Sequence, residues 1–357
     1  MTKLIFIHLF NDRSGSPKVL SQVVRAMSQR GGPIEILTSG HTDGFLSGLP
    51  GKRREIFYRR SENKLLTLLF FLYTQVVLFL TCLRYWRQDV SFYVNTMMPF
   101  GAALAAKFMG KPVIYHIHET SIRPALLKRL LRLTVKLTAS KVVFVSNYLR
   151  QTEGFEGKRQ CVIHNVLDVN FTGASARQQG PLFTVLMICS MKKYKGVFEF
   201  FELARLLTSQ PFINFTLVLN AEQSEIDVYL NGIAIPPNVT IYPRQTDVCG
   251  FYATASLLLN LSRPDEWIET FGLTILEGMA HGLPVIVPPI GGPAEIISDS
   301  QEGFLISCYE LQKISDVIEQ LAGDPERHAH LANNALMRAT DFRLANFEEK
   351  IVNLIES

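Results

Sequence analysis

Short apolar runs alternate with longer stretches of helical periodicity through almost the whole of this 357-residue chain. Such alternation marks βαβ units on parallel sheets, whose strands are covered on both faces and so read as continuous apolar runs. In the first half the candidate buried strands are 4–8, 34–38, 90–94, 113–117 and 141–145. Around 170–180 the pattern breaks: Phe171-Thr172-Gly173-Ala174-Ser175-Ala176-Arg177-Gln178-Gln179-Gly180 is mostly small and polar and has no strand in it. Alternation resumes with 183–189, 214–220, 239–242, 257–261 and 284–288, and 342–355 reads as a final helix. The expectation is an α/β chain of two Rossmann-like αβα domains, 1–170 and 181–341, joined by a linker at 171–180. The two face each other across a deep interdomain cleft at the carboxyl ends of their sheets.

Two helical stretches depart from the ordinary amphipathic pattern. Residues 65–83 carry no charge, which meets the length of a membrane-spanning helix. They also contain Thr67, Tyr73, Thr74, Gln75, Thr81 and Cys82, and a span there would place the first strands and the rest of the domain on opposite sides of a bilayer. A helix that packs on the sheet and dips its outer face into the lipid interface fits better. Lys52-Arg53-Arg54 and Arg59-Arg60 before it, and Arg84-Tyr85-Trp86-Arg87 after it, suit the headgroup level. The second stretch, 123–137, places Lys128, Arg132 and Lys136 on one face among leucines. It reads either as a basic helix for an anionic surface or as a surface helix with its leucines in its own core.

Charge sharpens this picture. The formal total of +4 conceals 24 Lys+Arg against 10 Asp+Glu up to Asn170, and 12 against 22 beyond it. A basic half suits an anionic partner such as phospholipid, nucleic acid or a phosphorylated acceptor. With the apolar helices beside it, an anionic membrane surface is expected and no nucleic acid. The five cysteines are scattered without a CxxC pair and the first residues run straight into an apolar strand, so the expectation is a reduced, cytoplasmic protein without a signal peptide, peripheral on the membrane.

The chemistry-bearing stretch runs from Pro264 to Val287. A loop holding Glu269 leads into a short helix that opens near Gly272, contains Glu277 and stops at Gly282 and Pro284. The first turn of a helix exposes unpaired N–H groups, so Phe271, Gly272, Leu273 and Thr274 offer backbone donors to a diphosphate. Glu269 and Glu277 can then bind hydroxyl-bearing parts of one ligand on either side of its phosphates. Earlier, Ser190-Met191-Lys192-Lys193-Tyr194-Lys195-Gly196 follows a strand and opens a helix, a place where cations neutralise a leaving diphosphate without a metal. In the first half, Tyr115-His116-Ile117-His118-Glu119 ends a strand with His116 and His118 on one side. Three potential ligands with no visible partner elsewhere make a poor metal site.

The Pro264–Val287 stretch resembles the E-x7-E signature of the retaining GT4-type glycosyltransferases of GT-B fold, and the resemblance continues through Gly291–Ile297 and Glu302–Ile306. It implies that Glu269 contacts donor-sugar hydroxyls, Glu277 binds the nucleotide ribose, and the Gly272 backbone approaches sugar and phosphate. Lys195-Gly196 is similar to the family's phosphate-binding Lys-Gly, while Ser190 stands where an Arg is usual; Lys192 or Lys193 would supply only a point charge there. His118 matches the histidine that touches the donor sugar, with Glu119 positioning donor or acceptor. Val145-Ser146-Asn147-Tyr148 and Asn165-Val166-Leu167-Asp168 resemble two further landmarks. The loop Asn11-Asp12-Arg13-Ser14-Gly15-Ser16 stands where the family carries a Gly-Gly loop over acceptor and diphosphate, here with one glycine. The first domain would bind the acceptor, the second the nucleotide sugar, and the final helix (342–357) would pack back on the first.

The resemblance implies a hexosyltransferase that needs no cofactor or metal and moves sugar from a nucleotide diphosphate to a saccharide or lipid-linked saccharide, as in surface polysaccharide or lipopolysaccharide assembly. The absence of Asp-x-Asp agrees with metal independence, and the absence of G-x-G-x-x-G and of a Walker loop argues against a dehydrogenase or P-loop enzyme. Three rivals remain at this point: a sugar-nucleotide epimerase, a glycan phosphorylase, and a non-catalytic membrane-associated scaffold that Ser190 keeps open.

Overall fold

The computed structural model describes residues 2–40, 43–59, 61, 63–167 and 180–357. The linker expected at 171–180 therefore lies outside the described residues except for Gly180. The chain divides into two compact units: residues 1–165 with 345–357, and residues 166–344.

Unit 1 is a seven-stranded parallel sheet in the order β3-β2-β1-β4-β5-β6-β7. Its strands are β1 (Lys3–Ile7), β2 (Ile34–Ser39), β3 (Lys52–Ile56), β4 (Val90–Asn95), β5 (Val113–Ile117), β6 (Lys141–Phe144) and β7 (Arg159–Val162). The central strands are buried on both faces, as a parallel sheet with covering helices requires. The connections are α1 (Gly15–Gln29), α2 (Lys64–Cys82), α3 (Phe100–Phe108), α4 (Ala125–Thr138) and α5 (Asn147–Glu153). Ser146 caps α5 by accepting from Leu149 N–H, and Asn63 caps α2 by accepting from Leu65 and Leu66 N–H.

Unit 2 is a six-stranded parallel sheet in the order β10-β9-β8-β11-β12-β13. It comprises β8 (Phe183–Cys189), β9 (Ile213–Leu219), β10 (Val239–Tyr242), β11 (Leu257–Leu259), β12 (Val285–Val287) and β13 (Gly303–Leu305). Its helices are α6 (Val197–Leu206), α7 (Gln223–Tyr229), α8 (Cys249–Thr254), α9 (Leu273–Ala280), α10 (Pro293–Ile296), α11 (Leu311–Gly323) and α12 (Pro325–Ala339). Phe200, Phe201, Phe215 and Leu217 centre its core. The last helix, α13 (Leu344–Glu356), lies in unit 1 from Ala345 onward and buries Phe347, Ile351, Val352 and Leu354.

Two basic runs do something other than the sequence suggests. Lys52-Arg53-Arg54, expected as a flank at lipid headgroups, is the edge strand β3. There Arg54 pairs with the buried Glu35 at 2.9 Å, and Arg53 donates to the Ser39 carbonyl at 3.0 Å. Within α4, Lys128 (2.5 Å) and Arg132 both turn to the buried Glu153, leaving Lys136 as the exposed member of that stripe.

Candidate functional site

In unit 2 the candidate residues come from two loops tied to each other. After β8 the chain makes a single 3-10 turn, Lys193–Lys195, and Gly196 (φ 82°) begins α6. A Cβ on Gly196 would stand 2.2 Å from the Leu261 carbonyl oxygen, so only glycine lets this turn lie against the end of β11. Tyr194 stacks on Trp267 with ring centroids 5.1 Å apart, and its carbonyl accepts from Arg263 N–H at 2.8 Å. The Arg263 guanidinium holds Glu199 (2.5 Å) and Glu266 (2.7 Å), so this loop arginine braces the loop and is not a substitute for the arginine lacking at Ser190.

Lys195 Nζ reaches Glu269 Oε2 at 2.5 Å, both side chains being largely buried. Burial opposes the charge on Lys195, but Glu269 holds its ammonium above the ordinary lysine range. Gly292 N–H donates to the Glu269 carbonyl at 2.9 Å, pinning the loop from behind.

Gly272 (φ 103°) caps α9 in the left-handed region, so the chain turns sharply from the Glu269 loop into a helix whose first amides are those of Leu273 and Thr274. Phe271 is buried against Phe342, ring centroids 5.9 Å apart, so its part toward a ligand is limited to its backbone. Glu277, one turn into α9, is buried; Tyr252 donates to its Oε2 at 2.9 Å. Lys192 and Lys193 are exposed on the turn, and Ser190 is half-buried with its carbonyl accepting from Lys192 N–H at 2.7 Å. The structure thus brings Glu269 and Lys195 into contact and backs Glu277 with Tyr252. Tyr252 and Arg263 are site-supporting residues that carry no sequence signal of their own.

In unit 1 the carboxyl ends of the central strands collect His8, Asn95, His118 and Glu119. Asn95, at the end of β4, is fully buried, and its Nδ2 donates to the Ser16 carbonyl at 3.1 Å. A carbonyl can only accept, so the amide oxygen faces the other way, onto His118 Nε2 at 2.8 Å. His118 therefore carries its proton on Nε2. Burial, with His116 and His8 close by, pushes its pKa well down and keeps the ring neutral. His116 lies fully inside the sheet with its Nδ1 on the Tyr93 hydroxyl at 2.8 Å, so His118 is the more exposed of the two same-side histidines.

Glu119 accepts from Met97 N–H (2.6 Å) and His118 N–H (3.1 Å); burial nevertheless pushes its carboxyl up to about 7. Between these contacts Thr96 sits at φ 73°, a strained position for a β-branched residue of the kind that gathers at functional sites. Ser14 precedes α1 without capping it, its hydroxyl going to Asp12 Oδ1 at 2.5 Å, and Gly15 is the first residue of α1. Among the described residues, no group of three or more His, Cys, Asp or Glu is placed to hold a metal.

Residues 13–171 match the family described as Glycosyltransferase Family 4, and residues 174–338 match glycosyl transferases group 1. The chain belongs to the GT4-type glycosyltransferases. Solved structures agree on the GT-B fold of these glycosyltransferases. Anabaena HepE, crystallised with UDP and glucose, superposes with a TM-score of 0.80 at 19% identity over 100% of both chains. Sucrose-phosphate synthase from Thermosynechococcus elongatus gives 0.78 at 16%, covering 100% of this chain and 98% of that one. Among curated proteins, the sucrose synthase of Denitrovibrio acetiphilus is 39% identical over 79 residues, 20% of this chain and 10% of that protein. The sucrose-phosphate synthase of Spinacia oleracea is 33% identical over 98 residues, 27% and 9% respectively. The match thus spans about a tenth of the length of these curated relatives.

Proposed function

We propose that this GT4-type chain is a retaining glycosyltransferase that carries a sugar from a nucleoside diphosphate to a saccharide or lipid-linked saccharide acceptor without a metal. The observation that carries the reading is the Lys195–Glu269 pair beside the glycine-capped start of α9, with Glu277 held by Tyr252 one turn further on. A diphosphate at that helix start meets backbone N–H groups and the Lys195 ammonium. Glu269, relieved of part of its hold on Lys195, turns to sugar hydroxyls, and Glu277 takes the ribose. As the glycosidic bond breaks, positive charge grows on the sugar ring and negative charge on the diphosphate, and fixed cation and helix dipole stabilise the separation. The acceptor hydroxyl attacks from the face the diphosphate leaves, so configuration is retained. In unit 1, His118 is neutral and oriented by Asn95, as a group that meets sugar hydroxyls must be. The acceptor belongs to surface polysaccharide or lipopolysaccharide assembly, met at the cytoplasmic face of a membrane. HepE, solved with UDP and with UDP-glucose, makes UDP the first diphosphate to try.

Calorimetric titration of UDP, GDP and ADP in the presence of EDTA, repeated with Glu277→Ala, tests the reading. Metal-free binding of one diphosphate, weakened at least about tenfold in the variant, is expected. Binding by none of them, or binding indifferent to Glu277, overturns it.

A further inference from the structure

The helices α2, α3 and α4 lie side by side on unit 1, α2 against α3 and α3 against α4. A surface helix ordinarily turns polar side chains to water and apolar ones to the core. In α2 and α4 polar side chains join Phe71, Leu78, Leu131 and Val135 on the buried side while large apolar ones are left outside. Thr74 and Gln75 of α2 are buried: Thr74 donates to the carbonyls of Phe70 (2.7 Å) and Phe57 (2.9 Å), and Gln75 Oε1 accepts from Gly101 N–H (2.9 Å). Meanwhile Leu65, Leu69, Tyr73, Val76 and Leu80 each leave more than half their surface exposed. In α4, Thr134 and Thr138 are buried on carbonyls of their own helix and Lys128 and Arg132 are turned to Glu153, while Leu126, Leu130, Leu133 and Leu137 face outward. Leu104 and Phe108 of α3 are exposed as well.

The rim of this face is strongly basic. Residues 64–140 contain ten Lys+Arg against two acids, Asp89 and Glu119, and Glu119 is bound inside the strand-end cluster. Arg84, Arg87, Lys107, Arg129 and Lys136 are exposed. The helix α2 is long and apolar enough to cross a membrane. The strands on either side of it, β3 and β4, nevertheless belong to one parallel sheet, so α2 cannot cross a bilayer without dividing that sheet. It can only lie flat, about 28 Å along the surface.

We propose that the outward faces of α2, α3 and α4 form one in-plane docking surface for an anionic lipid bilayer, with leucines at the acyl boundary and the basic rim at the phosphates. A second copy of this chain is the poorer occupant, because it would bring the same basic rim against itself. The inference rests on the transfer reading only for its purpose, which is to deliver the chain to a lipid-linked acceptor.

Co-sedimentation of the full chain with vesicles tests it, using phosphatidylcholine alone and phosphatidylcholine with phosphatidylglycerol. The wild type should pellet with the anionic vesicles and less as salt rises. Leu69→Glu with Leu72→Glu should lower partitioning about tenfold or more to either vesicle. Arg129→Glu with Lys136→Glu should lower it by a similar factor on anionic vesicles alone. All four side chains are exposed, so thermal unfolding should stay at the wild-type midpoint. A wild type left in the supernatant, or a Leu69→Glu/Leu72→Glu protein that pellets unchanged, overturns the proposal. So does a wild-type dimer that this variant splits without any vesicle binding. Diphosphate titration on the same preparations separates the two readings: lost vesicle binding with diphosphate binding intact fails the surface alone, and the reverse fails the donor site alone.

Discussion

Asn95 shows how much of a site can hang on a residue with no motif around it. Its amide joins the start of α1 (through Ser16), His8 and His118, and fixes which His118 nitrogen carries the proton. Asn95→Asp keeps the shape but cannot donate to Ser16, and it places a carboxylate against Nε2, which favours the imidazolium. The expected outcome is a His118 pKa raised by about one unit or more, read by NMR titration of its ring, together with an altered acid limb of kcat. A His118 pKa no higher in the variant than in the wild type would show that Asn95 does not set its state. Glu119 gives a second prediction with the opposite pH sense. Its folded pKa of about 7 lies above the ordinary carboxyl value of 4.5, so the folded chain holds a proton that the unfolded chain releases between these values. Stability from this group is full below about 4.5 and falls as pH rises to about 7; Glu119→Gln should abolish that slope, worth at most about 3 kcal/mol, in denaturant titrations at stepped pH. In unit 2, Glu269→Ala leaves Lys195 without its counter-charge and removes the proposed sugar contact. A fall of about 10–1000-fold in turnover or donor affinity is expected, and wild-type-like transfer would refute the assignment.

At the scale of elements, the sequence pattern is readable where strands are buried on both faces and fails at three of the four sheet edges, β10 being the exception. The runs at 4–8, 90–94 and 183–189 fall within a residue or two of β1, β4 and β8, because interior parallel strands must be apolar throughout. The strands it does not pick out as buried are β3, β7 and β13, all at edges. β3 reads Lys-Arg-Arg-Glu-Ile, and its basic residues have cross-strand partners that no period reveals. Likewise Lys128 and Arg132 look like an anion-binding stripe until Glu153 is brought beneath them by the packing of α4 on unit 1. In the candidate site, the E-x7-E spacing singles out Glu269 and Glu277 from the sequence. It does not single out Tyr252 and Arg263, since each acts through a partner 25 and 64 residues away in sequence. The packing of α2 on α3 offers a check. A Cβ on Gly101 would lie 2.1 Å from the Gln75 carbonyl oxygen, and the same glycine's N–H is held by Gln75 Oε1. Gly101→Ala should therefore cost about 1–3 kcal/mol in urea unfolding, and a neutral result would mean that the two helices separate easily.

On the scale of the whole molecule, the chain leaves unit 1 near Asn165, builds unit 2, and returns at Ala345 to finish the first unit. The return helix α13 buries Phe347, Ile351, Val352 and Leu354, while Lys141 at the start of β6 donates to the Leu354 carbonyl at 2.7 Å. Nothing local to 1–165 announces that its core is incomplete; β6 looks like an ordinary strand, and the helix that finishes the unit comes some two hundred residues later. Each large apolar side chain withdrawn from water contributes on the order of 2 kcal/mol. Removing residues 345–357 therefore strips several kcal/mol from a domain whose whole stability is of order 10 kcal/mol. The loss should fall on one unit. In hydrogen exchange followed by mass spectrometry, the amides of β5, β6 and β7 should lose protection in the truncated chain, whereas those of β8, β9 and β11 should keep it. Since the Lys195–Glu269 pair and α9 lie wholly in unit 2, diphosphate binding should survive the same truncation. Loss of both protection patterns together would mean that the two units do not fold independently, and that the final helix stabilises more than the sheet it covers.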